Sequence, residues 1–156
     1  MAHHHHHHME RTYIMVKPDG VQRGLIGEIL KRFEMKGLKL IAAKFEHPTM
    51  DVVAQHYCEH KDKPFFKDLC DFISHGPVFC MIWEGPEAIK IGRNLVGLTS
   101  PVESAAGTIR GDFGVVKNFN IVHASSSAED AARECALWFT PEQLVTWERS
   151  VGGWIY

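Results

Sequence analysis

The stretch TYIMVKPDGVQRGLIGEILKRFEMKG, residues 12–37, contains a strand, a turn, a helix and a helix stop in succession. Thr12 to Val16 is short, apolar and partly β-branched, a composition that fits a pleated, buried surface. Lys17-Pro18-Asp19-Gly20 follows, with a proline that fixes φ, an aspartate that bonds its own backbone and a glycine free to turn, so the chain reverses there. Leu25, Ile26, Ile29, Leu30 and Phe33 then recur on one helical face, and Gly37 stands where a left-handed cap closes a helix.

The same reading extends outward. Leu38 to Phe45 predicts a second strand, and Thr49 to Tyr57 and Phe65 to Ile73 have helical spacing around the breaker Lys63-Pro64. Val78 to Trp83 is too short for a helix and lies between Gly-Pro pairs, so it reads as a buried strand, after which Pro86 opens a helix at a position that tolerates proline. Gly97 to Asn120 has no clean period, and a loop of that length in a compact domain is usually functional or interfacial. Ile121 and Val122 form a short strand leading to His123. Ser126 with Glu129, and Thr140 with Pro141 and Gln143, each predict a capping box. The order β, α, β, α, α, β, α, loop, β, α, α predicts an α+β fold: a ferredoxin-like βαββαβ core with a mostly antiparallel four-stranded sheet covered by helices.

Met1 to His8 reads as an expression tag, which leaves residues 9–156 as one domain. Six of the 11 histidines belong to the tag, so His47, His56, His60, His75 and His123 can be weighed singly. A 45% hydrophobic content is enough for a core, and a net charge of -2 offers no basic excess to bind a nucleic-acid backbone as the main partner. Val78 to Trp83 is too short to span a bilayer, and nothing after Met9 has the layout of a signal peptide, so a soluble cytoplasmic protein without a membrane partner is expected. Cys58, Cys70, Cys80 and Cys135 form no C-x-x-C pair and read as buried reduced thiols.

The common phosphate motifs G-x-x-x-x-G-K-[ST] and G-x-G-x-x-G are absent, as are H-R-D and D-F-G, so phosphoryl chemistry would need another scaffold. His123 ends a short apolar strand immediately before a serine-rich helix start, where backbone N–H groups favour an anion. Three rival readings exist. His56-Tyr57-Cys58-Glu59-His60 matches H-x-x-E-H, an inverted zinc-peptidase pattern, although Lys63-Pro64 follows and no third ligand is evident. Arg110-Gly111-Asp112-Phe113-Gly114-Val115 loosely matches an RNA-recognition motif, with Asp112 where an aromatic belongs. A non-enzymatic scaffold is the third.

Several ordered motifs resemble nucleoside diphosphate kinases. Glu10 to Phe33, with Lys17-Pro18-Asp19-Gly20-Val21-Gln22-Arg23-Gly24, resembles their N-terminus; Gly107-Thr108-Ile109-Arg110-Gly111-Asp112-Phe113 and Asn120-Ile121-Val122-His123 resemble their active-site core. Leu137-Trp138-Phe139 and Trp154-Ile155-Tyr156 extend the resemblance over essentially the whole chain after the tag. It implies that His123 accepts the phosphoryl group in a ping-pong transfer between nucleoside tri- and diphosphates, and that Glu134 orients the other ring nitrogen. It further implies that Lys17, Tyr57, Arg93, Thr99, Arg110 and Asn120 hold phosphates and ribose while Phe65 stacks the base. By the same resemblance Mg²⁺ arrives with the nucleotide rather than in a protein metal site, and the chain assembles as a homohexamer.

The chain departs from the family's pattern at three places. Ala124-Ser125-Ser126 replaces Gly-Ser-Asp, and the chain ends at Tyr156 where relatives often carry a further acidic residue. Lys117-Asn118-Phe119-Asn120 replaces Val-Gly-Arg-Asn, which puts a lysine where an apolar residue faces the base and asks Asn118 to take a glycine's left-handed conformation.

Overall fold

Strand β1 (Met9–Val16) is apolar on both sides, with every residue from Thr12 to Val16 fully buried, and the sheet is built around it. The computed structural model describes residues 8–156, so residues 1–7 of the tag reading lie outside the described residues. After β1 come α1 (Pro18–Gln22), α2 (Ile26–Lys36), β2 (Lys39–Glu46), α3 (Met50–His56), α4 (Phe66–Ser74) and β3 (Val78–Pro86). The chain continues with α5 (Ala88–Val96), α6 (Ile109–Phe113), β4 (Val122–Ala124) and α7 (Ala128–Trp138). The strand order is β2-β3-β1-β4, and every pairing is antiparallel, so the mostly antiparallel sheet of the sequence reading is antiparallel throughout.

Successive side chains of a strand face opposite ways, and here both faces are covered. Tyr13, Met15, Cys80 and Ile82 pack with Val53, Ile73 and Trp138 of α3, α4 and α7. Ile14, Val16, Met81 and Trp83 pack with Ile29, Phe33, Val96 and Ile109 of α2, α5 and α6. Two-sided burial accounts for the unbroken apolar runs in β1 and β3 where a half-exposed strand would alternate.

Four expectations about the elements are corrected. Lys17-Pro18-Asp19-Gly20 is the N-terminus of a short helix, with Lys17 at its cap and Pro18 in its first turn. Pro86 ends β3, and α5 begins at Ala88 after Glu87 in a left-handed conformation (φ 51°). Ser127, not Ser126, caps α7, its hydroxyl accepting from the Asp130 N–H. The aperiodic stretch 97–120 contains α6 and two 3₁₀ turns, elements too short to register as a period. Thr140 and Gln143 do form their capping box, over a single 3₁₀ turn. Cys70 and Cys80 are buried as expected, whereas Cys58 is exposed. No helix among the described residues is long and apolar enough to cross a membrane.

Candidate active site

The approach to His123 is a strained reversal. Ile121 has φ 76° and the Val122 N–H donates to Asn120 O at 2.8 Å, a γ-turn with positive φ on a β-branched residue. Such a conformation costs roughly 1–3 kcal/mol and persists where its surroundings over-determine it. They do so here: the Lys17 N–H donates to Ile121 O (2.8 Å), the Ile121 N–H donates to Asp19 Oδ2 (2.9 Å), and the Ile121 side chain is fully buried. Gly20 makes the approach possible, since a Cβ there would lie 2.7 Å from Val16 Cγ1 and 2.8 Å from Ile121 O.

Beyond the turn, β4 pairs with β1 in the register Met15↔His123 and Ile14↔Ala124. Val122 and Ala124 therefore enter one core layer and His123 turns to the other face, its ring 5.9 Å from that of Tyr13. On that face α7 presents Ala131, Glu134 and Trp138, buried at helical spacing. His123 Nε2–H donates to Glu134 Oε1 (2.9 Å), and the Ser125 hydroxyl donates to the same oxygen (2.7 Å) while accepting from the Tyr13 N–H (3.0 Å). Burial raises the Glu134 carboxyl above its usual range, opposed by His56, Ser125 and Arg133. Burial, then Lys17, Arg110 and Arg93, hold the His123 imidazole well below its ordinary value. The ring is thus neutral at pH 7, and with Nε2 engaged its Nδ1 keeps the lone pair.

Three cations surround this imidazole on neutral supports. Lys17 Nζ donates to Asn120 Oδ1 (2.9 Å), and Asn120 Nδ2 donates to Thr99 O (3.0 Å). Arg110, only 4% exposed, donates to the carbonyls of Asn120 (3.1 Å), Val122 (2.6 Å), Gly97 (3.2 Å) and Leu98 (3.2 Å), and Arg93 Nη1 donates to Ala124 O (3.3 Å). Among the described residues none of the three lies within ion-pair distance of a carboxylate. Burial and the neighbouring Arg110 bring Lys17 down to about 8, and burial with Arg93 brings Arg110 down to about 10. Crowded, desolvated cations without a carboxylate in ion-pair contact make a site for a polyanion.

All the residues implicated by sequence meet here. Lys17, Tyr57, Arg93, Thr99, Arg110 and Asn120 line, with His123 and Glu134, a polar cavity of about 220 Å³. Phe65 lines a wider cleft of about 780 Å³ that shares Lys17, Tyr57, Thr99 and Asn120 with it. Phe65 is 49% exposed, so it is no core residue. Lys117 also lines the wide cleft, but so does Phe119, 52% exposed and edge-on to Phe72, which restores an aromatic surface beside the lysine. Asn118 does not take the left-handed conformation; it lies in the 3₁₀ turn Lys117–Phe119, and Ile121 carries the positive φ.

The rival motifs do not survive the geometry. His56 ends α3 and His60 lies in the following 3₁₀ turn, so they share no helical face, and His56 Nδ1 accepts from Trp138 Nε1–H (2.9 Å) within the core. Arg110 to Phe113 are helical, with Arg110 buried, whereas an RNA-reading strand would display them. Sequence reasoning missed the hydrogen-bonding roles of Ser125 and Asp19, and the position of Phe119. The first two were quoted within motifs but had no period or charge pattern to single them out.

Residues 10–144 match the family described as Nucleoside diphosphate kinase. A nucleoside diphosphate kinase of Bacillus licheniformis is 55% identical over 95% of this chain and 100% of its own length; one of Cyanothece sp. is 53% identical over 95% and 99%. Among solved structures, a halophilic nucleoside diphosphate kinase from Halobacterium salinarum in complex with CDP superposes with a TM-score of 0.91 at 49% identity, covering 96% of this chain and 99% of that one. The apo enzyme of Encephalitozoon cuniculi gives 0.90 at 41% identity, covering 94% and 99%. Sequence, fold and the histidine-centred cleft agree, and the chain belongs to the nucleoside diphosphate kinase family of phosphotransferases.

Proposed function

We propose that the enzyme transfers the terminal phosphoryl group of a nucleoside triphosphate to a nucleoside diphosphate in two steps through phospho-His123. The bond from His123 Nε2–H to Glu134 Oε1 carries this reading, because it leaves Nδ1 as a neutral nitrogen nucleophile beside three unpaired cations. In the first step Nδ1 attacks the terminal phosphorus, the bond to the bridging oxygen breaks, and the nucleoside diphosphate leaves with the electron pair. In the second step a different diphosphate reverses these changes. Lys17, Arg93 and Arg110 neutralise the phosphate oxygens, and Glu134 steadies the positive charge that the ring acquires.

Thr99 and Asn120 fix Lys17 and accept or donate to phosphate and ribose, Tyr57 walls the phosphate end, and Phe65 offers the base a π face that any nucleobase fits. The relative from Halobacterium salinarum was solved with CDP, a pyrimidine nucleotide, in keeping with such a surface. The residues fit a Mg²⁺ ion that enters on the nucleotide. The one group of metal-type ligands among the described residues, buried His56 and Glu134 with half-buried His123, is already hydrogen-bonded, whereas phosphates and water satisfy magnesium without a protein cage. Bound there, the ion supplies neutralisation of phosphate charge. The working form is a cytoplasmic homohexamer.

Incubation with MgATP alone should add one phosphate per chain, labile in acid and stable in alkali, which any nucleoside diphosphate discharges. His123→Ala should keep the fold and nucleotide binding but lose both incorporation and turnover. Label on the alanine variant, or substantial residual transfer, would place the nucleophile elsewhere.

A further inference from the structure

One side chain outside the set described above touches both walls of the site. Arg133 lies on α7 immediately before Glu134 and is half-buried. Its Nη1 donates to Gln55 O (3.1 Å) and His56 O (3.2 Å), carbonyls in the last turn of α3. Its Nη2 lies 3.5 Å from Glu59 Oε1, 3.6 Å from Asp130 Oδ1 and 3.7 Å from Glu134 Oε2. One guanidinium thus binds the end of α3, next to Tyr57, to the helix that carries the partner of the nucleophile.

We infer that Arg133 is a positioning residue for the phosphoryl-accepting imidazole, fixing α7 against α3 and holding the Glu134 carboxylate ionised so that it keeps accepting from His123 Nε2–H. This rests on the phosphohistidine reading. The requirement is electrostatic. Glu134 is 4% exposed, and burial pushes its carboxyl towards the protonated, uncharged form. Tyr13 faces it from β1, His123 and Ser125 from β4 and the residue after it, His56 and Tyr57 from the end of α3, and Asp130 with Cys135, a thiol that burial keeps protonated, from its own helix. Of these, the tyrosines and imidazoles are neutral and Asp130 is negative, so Arg133 is the nearest full positive charge on the Oε2 side. A protonated Glu134 donates instead of accepting, which lets the imidazole carry its proton on Nδ1 and removes the lone pair that attacks phosphorus.

The test follows phosphoenzyme formation from MgATP, quenched in alkali, from pH 5.5 to 8.5. Arg133→Gln keeps an amide that can reach the α3 carbonyls but removes the charge, so the acid limb of the rate should move up by roughly one pH unit. Arg133→Lys, which keeps charge without the fork, should leave the limb in place at a lower plateau. Asp130→Asn, which removes a neighbouring negative charge, should move the limb the other way, and this still tests the idea should the glutamine variant fold poorly. Without nucleotide, ¹⁵N shifts of the His123 ring should show the Nε2–H tautomer giving way at higher pH in Arg133→Gln than in the unsubstituted protein. A rate depressed equally at every pH, with the limb and tautomer unmoved in both neutral variants, overturns the inference and makes Arg133 a mere brace. Absence of any phosphoenzyme in the unsubstituted protein overturns the underlying reading instead.

Discussion

Lys17 shows how one side chain can be prepared for its ligand at the cost of its own solvation. Its ammonium is driven from the ordinary 10.5 to about 8, first by burial and then by Arg110. A phosphate oxygen placed beside it supplies the missing counter-charge and returns its affinity for the proton. Nucleotide binding should therefore take up a proton above pH 8, and affinity should fall by up to about tenfold per pH unit from 8 towards 10.5. Calorimetry of a non-hydrolysable triphosphate analogue in two buffers of different ionisation enthalpy at pH 8.5 measures the uptake directly; Lys17→Arg should abolish it, and an unchanged uptake in that variant would acquit Lys17. The unliganded fold carries the complementary dependence, gaining stability over the same window because the unfolded chain retains the proton that native Lys17 releases. Sequence made Lys17, Arg110, Asn120 and His123 legible through their motifs. It did not reveal that Ile121 takes a positive φ, because that conformation is imposed by Lys17, Asp19 and Gly20, whose approach arises only from tertiary structure.

At the level of elements, caps decide boundaries that periodicity leaves loose. Ser126 and Ser127 are adjacent and both exposed, yet only the Ser127 hydroxyl receives an N–H, that of Asp130 at 3.1 Å. Ser127→Ala should cost about 1 kcal/mol in urea unfolding while Ser126→Ala stays within about 0.5 kcal/mol; equal losses would return the cap to a shared role. The helices α2, α4 and α7 were readable because each buries one stripe over two or more turns, and β1 and β3 because burial on both faces leaves an unbroken apolar run. α6 was not, since five residues cannot display a period; its start is set by Thr108, whose hydroxyl accepts from the Gly111 N–H at 3.0 Å. Pro86 misled for a related reason: a strand end tolerates proline as well as a helix start does, and β3 simply continues to it.

The whole molecule exposes more apolar surface than its chemistry uses. Val102 is 84% exposed, Trp154 77%, Val115 75% and Met35 74%, and they lie outside both parts of the cleft. Aromatic and aliphatic side chains left in water favour association, in line with the proposed hexamer. Native mass spectrometry of tag-free protein at micromolar concentration should give six chains, and a monomer would refute it. The sheet order has a further consequence, for synthesis. β1 leaves the ribosome first but needs β4, whose pairing brings Tyr13 to Ser125 across 112 positions. Until residues 122–124 are made, β1 has one ladder of N–H and C=O groups without its partner, and neighbouring nascent copies offer the same ladder. Protection of that edge falls to whatever covers it in the interval, so the speed of translation between β1 and β4, and not only the stability of the finished protein, bears on how much of it escapes aggregation.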